Sequence, residues 1–175
     1  SKGDENGRIS LARLLGSLRS HEIIMFAHKQ IEHAPLPVKA ELAYTLIVQG
    51  DESGWDVLLQ IMSDSNPTIM KIPIPILARL RSNEALDVLV RHLVTPSESI
   101  QAELIKAIGG MQLQESIPIL QKYVMNHSNK IKIAVAKALS EMDTPETRHM
   151  LALLSSDSDE YVRVAVDIAK QKQSK

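Results

Sequence analysis

Apolar residues recur along this chain at a fixed spacing of 31 residues. The clearest column consists of β-branched residues that each open an apolar run, namely Val38, Ile69, Ile100, Ile131 and Val162. A second column with the same step consists of Leu15, Leu46, Leu77, Ile108 and Leu139. Four equal steps without an insertion indicate an internal repeat, and periods of about 20–50 residues are typical of solenoids, propellers and other arrays. The period therefore limits the fold to a stack of similar supersecondary units.

Each repeat is predicted to be a pair of α-helices. Apolar residues keep helical spacing over 100–111 and again over 117–124, which gives the repeat two amphipathic segments. Capping residues stand three positions before the β-branched column, at Asn66, Ser97, Ser128 and Asp159. Further caps are predicted for the second helices, at Ser20, Ser82 and Thr144. Each repeat is therefore expected to be a helical hairpin.

Glycine and proline mark special positions in the first helices. Gly50 and the Gly109–Gly110 pair stand at expected helix ends, where we predict a left-handed turn that other residues resist. Pro73 and Pro75 lie inside another first helix, where each removes an amide donor. We expect that helix to bend or restart there, either as a structural kink or as a hinge within the stack.

These features predict an all-α fold, a right-handed α-α superhelix of about five helical hairpins followed by a terminal helix over 160–171. A lone hairpin cannot bury its apolar stripe, so the repeats are expected to form a single domain over 8–171. Residues 1–7 are expected to be a polar leader, disordered or foreign to the natural chain, and 172–175 a polar tail. The terminal helix has no partner helix, so it either caps the stack or belongs to a larger chain.

The composition excludes several classes of protein. The 175 residues are 44% hydrophobic and 23% charged, which is typical of a globular protein and of neither a disordered tail nor a membrane span. The net charge of -1 provides no general attraction to nucleic acid or anionic lipid. The chain has no cysteine, which excludes disulfides and thiolate zinc sites and fits a cytoplasmic location or a cytoplasm-facing domain.

The last repeat resembles a known family. Residues 156–165, Ser-Asp-Ser-Asp-Glu-Tyr-Val-Arg-Val-Ala, are similar to the D-x-D-x-x-V-R-x-x-A signature of HEAT repeats, particularly the short bacterial kind that also occurs in phycobilin lyases. In the arginine column the other repeats carry Lys39, Met70, Gln101 and Lys132. The resemblance covers about residues 8–171 and implies a scaffold that binds other proteins along its concave face.

Catalytic and metal-binding patterns are weak. His21–Glu22 is similar to the His-Glu motifs of deoxyhypusine hydroxylase, a HEAT-like enzyme that binds two irons through several such pairs. One period later the chain has Glu52–Ser53, so the pair does not recur, and we expect no metal site and no cofactor. The sequence contains no nucleophile elbow and no phosphate-binding glycine loop. It therefore predicts a protein that is not an enzyme.

Two alternative functions remain. A nucleic-acid groove would use the basic residues Lys106, Lys122, Lys130, Lys132 and Lys137, but acidic residues alternate with them and aromatic residues make up only 3% of the chain. We therefore expect a mixed solvated face there, without nucleic acid or direct membrane contact. A chromophore-handling subunit similar to bilin lyases is suggested by the resemblance alone.

The concave face of such a stack is lined by the second helix of each hairpin. Opposite the core columns, three consecutive repeats place apolar residues at positions that should be partly exposed, with polar residues beside them. The candidate protein-binding residues are Asp56, Leu59, Gln60, Asp87, Val90, Arg91, Val94, Gln121, Lys122 and Met125. An apolar strip with a polar rim suits a peptide or a helix of another protein. The alternative is that the apolar members are buried between helices.

Overall fold

The computed structural model of the chain describes residues 2–17, 20–95 and 97–173. These residues form twelve α-helices and no β-strand. In chain order the helices are α1 (Lys2–Ser17), α2 (His21–Ile31), α3 (Leu36–Val48), α4 (Ser53–Met62), α5 (Pro67–Met70), α6 (Ile74–Leu80), α7 (Asn83–Arg91), α8 (Glu98–Gly110), α9 (Ser116–Gln121), α10 (Asn129–Leu139), α11 (Pro145–Leu154) and α12 (Glu160–Gln173). The chain divides into two compact units, unit 1 (Ser1–Ile76) and unit 2 (Leu77–Lys175), with the boundary inside α6.

Helical hairpins build each unit. In unit 1, α3 packs against α1, α2 and α4. In unit 2, α10 packs between α8 and α12, while α9 contacts α8, α10 and α11. The prediction of an all-helical repeat fold is confirmed. Helix α12 spans Glu160–Gln173, close to the terminal helix expected over 160–171.

The first helices supply the core of unit 2. Leu104 and Ile108 of α8 and Ile131, Val135 and Leu139 of α10 have no exposed surface. Burying one such side chain contributes about 1.5–3 kcal/mol relative to leaving it in water. The core of unit 2 therefore depends on the stacking of these helices.

The predicted helix caps are confirmed. In the first helices, Asn66 accepts from the N–H of Thr68, Ser97 from Ile100, Ser128 from Ile131, and Asp159 from Val162. In the second helices, Ser20, Ser82 and Thr144 accept in the same way from Glu22, Ala85 and Thr147. Each cap satisfies one of the amides that a helix start leaves without an intrahelical partner.

The predicted break at the two prolines is also confirmed. Helix α5 ends at Met70, and α6 begins at Ile74, between Pro73 and Pro75. The carbonyl of Ile69 accepts from the N–H of Ile72 at 3.0 Å, because the proline at position 73 has no amide hydrogen to donate. The function of this break as a kink or a hinge stays a prediction.

Helix α1 includes most of the expected leader, and α12 includes part of the expected tail; the assignment of these segments as leader and tail stays a prediction. Residues 2–7 belong to α1, whose first turn contains Asp4 and Glu5, where negative charge favours a helix start. Arg8 Nε lies 3.6 Å from Asp4 Oδ2, one turn earlier. Residues 172 and 173 complete α12, while residues 1, 174 and 175 lie outside the described part of the chain.

The two glycine predictions have different outcomes. Gly50 has φ +87°, the left-handed conformation expected of it. Gly109 and Gly110 instead end α8 as helical residues, and the left-handed residue is Gln112, with φ 57°. At Gly109 a Cβ atom would lie 2.5 Å from the Cα of Ala138, so glycine is needed there for close packing of α8 on α10.

Gly109→Ala should lower the free energy of unfolding by about 1–3 kcal/mol, because the added methyl group forces α8 and α10 apart. Gly110→Ala is the matched control, since a Cβ atom there meets nothing within 4 Å, and alanine favours a helix. Urea unfolding followed by circular dichroism measures both. Equal stability of the two variants would contradict the close-packing explanation.

One ion pair links consecutive repeats of unit 2. Lys132 Nζ donates to Asp157 Oδ2 at 2.7 Å, and both side chains are mostly buried. The pKa of Asp157 lies below its usual value, chiefly because of the hydrogen bond from Lys132 and then because the Asp159 N–H donates to the carboxylate. Lys132 occupies the column that holds Arg163 in the last repeat. A lysine in this column can therefore form an ion pair with the next repeat.

Asp157→Asn should lower the free energy of unfolding by about 1–2 kcal/mol near neutral pH, because a charged hydrogen bond is lost. Since the folded pKa is depressed, the contribution of Asp157 is complete above about pH 4 and disappears as the pH falls through the folded pKa. Urea unfolding at several pH values should therefore show a difference from the wild type that shrinks on acidification. A difference that does not shrink would contradict the assigned ion pair.

Candidate functional site

The ten candidate residues divide between the two units. Asp56, Leu59 and Gln60 lie on α4 in unit 1, and all three are exposed, Leu59 at 37%. The other seven lie in unit 2, on α7, on α9 and in the turns that follow these helices. The unit 2 group can therefore be considered as one set of neighbouring elements, because both α7 and α9 pack against α8.

The end of α7 presents an apolar side chain next to a cation. Asp87 and Arg91 are exposed and lie one helical turn apart, and Val90 is half-buried. Val94 follows in the turn after the helix and is 93% exposed. The end of α7 therefore has the exposed apolar residue that the sequence predicted.

The end of α9 repeats this arrangement. Gln121 is the last residue of α9, Lys122 caps the helix, and both are exposed. Met125 lies in the following turn and is 80% exposed. Among the described residues, Val94 and Met125 have the largest exposed fractions of any large apolar side chain. The alternative that these residues are buried between helices is wrong, except that Val90 is half-buried.

The turn that carries Val94 is held by its buried neighbour. Leu93 is only 3% exposed and anchors the turn in the core. Its carbonyl accepts from the Thr95 N–H at 2.9 Å and from Gln101 Nε2 at 3.1 Å. Since these contacts fix the backbone on either side, Val94 is directed outward without relying on contacts of its own.

The turn that carries Met125 is built in the same way. Val124 is 2% exposed and anchors the turn, and the Asn126 N–H donates to the carbonyl of Tyr123 at 3.2 Å. Asn126 Oδ1 accepts from the Ser128 N–H at 2.8 Å, which ties the turn to the cap of α10. Both exposed apolar side chains therefore stand on turns with a defined backbone.

Two cations beside these turns have no partner within the described chain. Neither Arg91 nor Lys122 forms an ion pair or a side-chain hydrogen bond with any described residue, and both are exposed. Each lies at the carboxyl end of its helix, where positive charge is favoured by the helix dipole. We call Arg91, Val94, Lys122 and Met125 the second-helix surface of unit 2.

Sequence reasoning missed the continuation of this surface onto α11. Leu153 lies 31 residues after Lys122 in the same column and is 50% exposed. Between α9 and α11 is a groove of about 320 Å³, lined by Gln121, Pro145, Glu146, His149 and Met150. The repeat spacing that identified Arg91 and Lys122 could have identified Leu153 too.

Residues 94–169, which contain most of this surface, match the model of a family described as HEAT repeats. This part of the chain is therefore similar to HEAT repeats. The matched segment begins at Val94 and includes α8 to α11 and most of α12. A comparison with curated proteins finds no relative of this chain.

Solved structures of helical repeat proteins resemble the whole chain. A designed armadillo repeat protein in complex with the peptide (KR)4 has a TM-score of 0.54 and 15% identity, over 94% of this chain and 91% of that one. An engineered protein has a TM-score of 0.52 and 15% identity, over 99% and 93%. Human deoxyhypusine hydroxylase in complex with glycerol has a TM-score of 0.49 and 16% identity, over 95% and 79%. The first two matches show a shared helical repeat fold.

Other chemistry is sparse in the described parts of the chain. His21 and Glu22 are exposed at the start of α2, and no group of three or more His, Asp or Glu residues in the described ranges could hold a metal ion. In the basic stretch, Lys106 pairs with Glu103 at 2.7 Å and Lys132 with Asp157. No helix within residues 2–17, 20–95 and 97–173 is long and apolar enough to cross a membrane.

Unit 1 has an apolar pocket of about 210 Å³ among α1, α2 and the start of α3. Leu11 and Phe26 line it. Leu11 belongs to a column whose other members include Leu42 and Leu104, and both of these are buried. The apolar lining therefore follows the core pattern of the repeat and does not by itself indicate a ligand.

Val94→Asp and Met125→Asp should each leave the free energy of unfolding of the chain within about 0.5 kcal/mol of the wild type, because both side chains face water. Val90→Asp should cost more than about 1 kcal/mol, because it places a charge at a half-buried position. Urea unfolding measures all three. A large loss of stability in either of the first two variants would show that these side chains pack against the fold.

Proposed function

We propose that this chain is a non-enzymatic scaffold in the cytoplasm that binds a peptide segment or a helix of another protein. In unit 2 the proposed contacts are the second-helix surface. The exposed α4 residues Asp56, Leu59 and Gln60 are proposed contacts of the same kind in unit 1. The observation that carries the proposal is the exposure of Val94 and Met125 on turns whose backbone is fixed.

Apolar side chains in this position favour association with a partner. Exposed apolar surface contributes about 25 cal/mol for each Å² that a partner removes from water. Because the turns at Val94 and Met125 are already ordered, little conformational entropy is lost when a partner docks. Polar residues beside them, including Arg91 and Lys122, fit the pattern of an apolar centre with a polar rim.

The helical repeat fold is compatible with this function. The designed armadillo repeat protein that resembles this chain was solved with a peptide, (KR)4, so a repeat stack of this kind can hold a peptide. Recognition of an extended segment or a helix by a groove uses exposed side chains of the stack and needs no change of fold.

The side chains that could support catalysis are arranged differently from a hydrolytic triad. His28 Nε2 lies 2.7 Å from Asp51 Oδ2, while Ser53 Oγ donates to Asp51 Oδ1 at 2.6 Å. The serine thus contacts the carboxylate and not the imidazole that would have to activate it. The hydrogen bonds from Ser53, and then from His28, lower the pKa of Asp51 to about 2. This cluster is better explained by its place at the start of α4.

Affinity capture from the native cell tests the proposed site. The double variant Val94→Asp/Met125→Asp should reduce capture of the partner protein by about thirtyfold, since loss of central interface contacts costs about 2 kcal/mol or more. Quantitative mass spectrometry of proteins retained by the immobilised chain gives the measurement.

Ile168→Asp is the matched control for this experiment. Ile168 is a large apolar residue on α12 that is 61% exposed, away from the second-helix surface in the sequence. The partner should be retained by the wild type and by this control. If every captured protein is retained equally by all three baits, the second-helix surface is not the binding site.

A further inference from the structure

We infer that the partner segment is acidic as well as aliphatic, with carboxylates that meet Arg91 and Lys122 and aliphatic side chains that meet Val94 and Met125. This inference rests on the proposed function, because it specifies the partner of the same surface. It is drawn from the distribution of charge on unit 2, which the chain as a whole, with a net charge of -1, does not reveal.

The second-helix surface contains the same pair of residues twice, a cation followed by an apolar residue. Arg91 precedes Val94 by three residues, Lys122 precedes Met125 by three residues, and the two pairs are separated by one repeat of 31 residues. In both pairs the cation lies at the end of a second helix, and the apolar residue stands on the following turn. A ligand that crosses consecutive repeats therefore meets a cation and an apolar side chain in each of them.

The acidic groups near this surface do not form ion pairs with Arg91 or Lys122. Asp87 lies one helical turn before Arg91 on the same helix, and no ion pair joins these two exposed side chains. The Glu146 carboxylate is held at the start of α11 by its own backbone N–H and by Thr144, and these bonds lower its pKa. Asp143 forms a two-point ion pair with Arg148, at 2.6 and 2.7 Å. None of these acids neutralises Arg91 or Lys122.

The groove between α9 and α11 adds no further acid to the surface near Lys122. Its lining includes His149 and Glu146, and Glu146 is the residue already held at the helix start. In the next repeat Leu153 takes the column of the cations and exposed Ser156 takes the column of Val94 and Met125, so the pair of a cation and an apolar residue does not recur there. We therefore place the acidic and aliphatic segment of the partner over the ends of α7 and α9.

A protein segment fits this surface better than a polyanion does. Two unpaired cations can meet two carboxylates, whereas non-specific binding of a nucleic acid comes almost entirely from contacts of cations with phosphates, of which two cations supply few. Exposed ion pairs add little affinity each but discriminate strongly by sign, because a like charge is repelled. The charge of the partner should therefore determine selectivity, while Val94 and Met125 supply most of the affinity.

Selection from a displayed random peptide library tests the inference without a known partner. Peptides selected on the wild type, after removal of those that also bind the uncharged variant Val94→Ser/Met125→Ser, should have net negative charge and be rich in Leu, Ile and Val. A synthetic peptide of the most enriched sequence, measured by fluorescence anisotropy, should bind Arg91→Glu/Lys122→Glu about tenfold more weakly. Its affinity for the wild type should fall as salt rises.

The possible results separate this inference from the proposed function. If the selected peptides depend on Val94 and Met125 but are neutral or basic, the acidic partner is excluded while the peptide-binding site stands. If the charge-reversal variant binds the acidic peptide as well as the wild type does, the assigned contacts of Arg91 and Lys122 are wrong. If no peptide distinguishes the wild type from Val94→Ser/Met125→Ser, the proposed function fails and the inference fails with it.

Discussion

Helix α10 lies between α8 and α12, and this stacking of first helices is the interaction on which the rest of unit 2 depends. Ile131 and Leu139 of α10 are completely buried by it. The stack also requires a glycine at position 109, where α8 approaches the backbone of Ala138. Because a single hairpin has too little apolar surface to fold by itself, these contacts between hairpins take the place of a central core.

The stack determines which residues are left for function. Each second helix ends in a turn that one buried residue anchors, Leu93 after α7 and Val124 after α9. The anchored residue is followed directly by one that faces water, Val94 or Met125. Since the fold does not need the outward residue, its identity is free to serve binding. Single exposed apolar residues are normal on a protein surface, but Val94 and Met125 stand on equivalent turns one repeat apart, and this recurrence supports the proposed binding surface.

The sequence predicted the helices and caps well because their causes are local. The capping side chains at Ser97 and Ser128 contact amides only three residues away, so a short stretch of sequence contains the whole interaction. The exposure of Val94 and Met125 could also be predicted, since it follows from the phase of the repeat. The role of Gly109 could not, because its cause is the backbone of Ala138 in the next hairpin.

The helical start of the chain illustrates the same limit. Residues 2–7 are polar, yet they form the first turns of a helix that packs on α3. Local composition alone therefore did not indicate this helix. The missed residue Leu153 is a different case, because the repeat spacing does identify its column. The spacing does not predict where a groove lies, because the groove depends on the packing of α9 against α11.

Comparison of columns across the repeats separates structure from specificity. The column Leu46, Leu77, Ile108 and Leu139 is aliphatic in every one of these repeats and is buried throughout. The column Gln60, Arg91, Lys122 and Leu153 changes from polar to basic to aliphatic, and all of its members are exposed. The helix dipole favours a cation at the ends of α7 and α9, but it does not fix the residue type of this column, which varies from repeat to repeat. The buried columns therefore determine the stack, while the exposed columns are free to differ between proteins that share this fold.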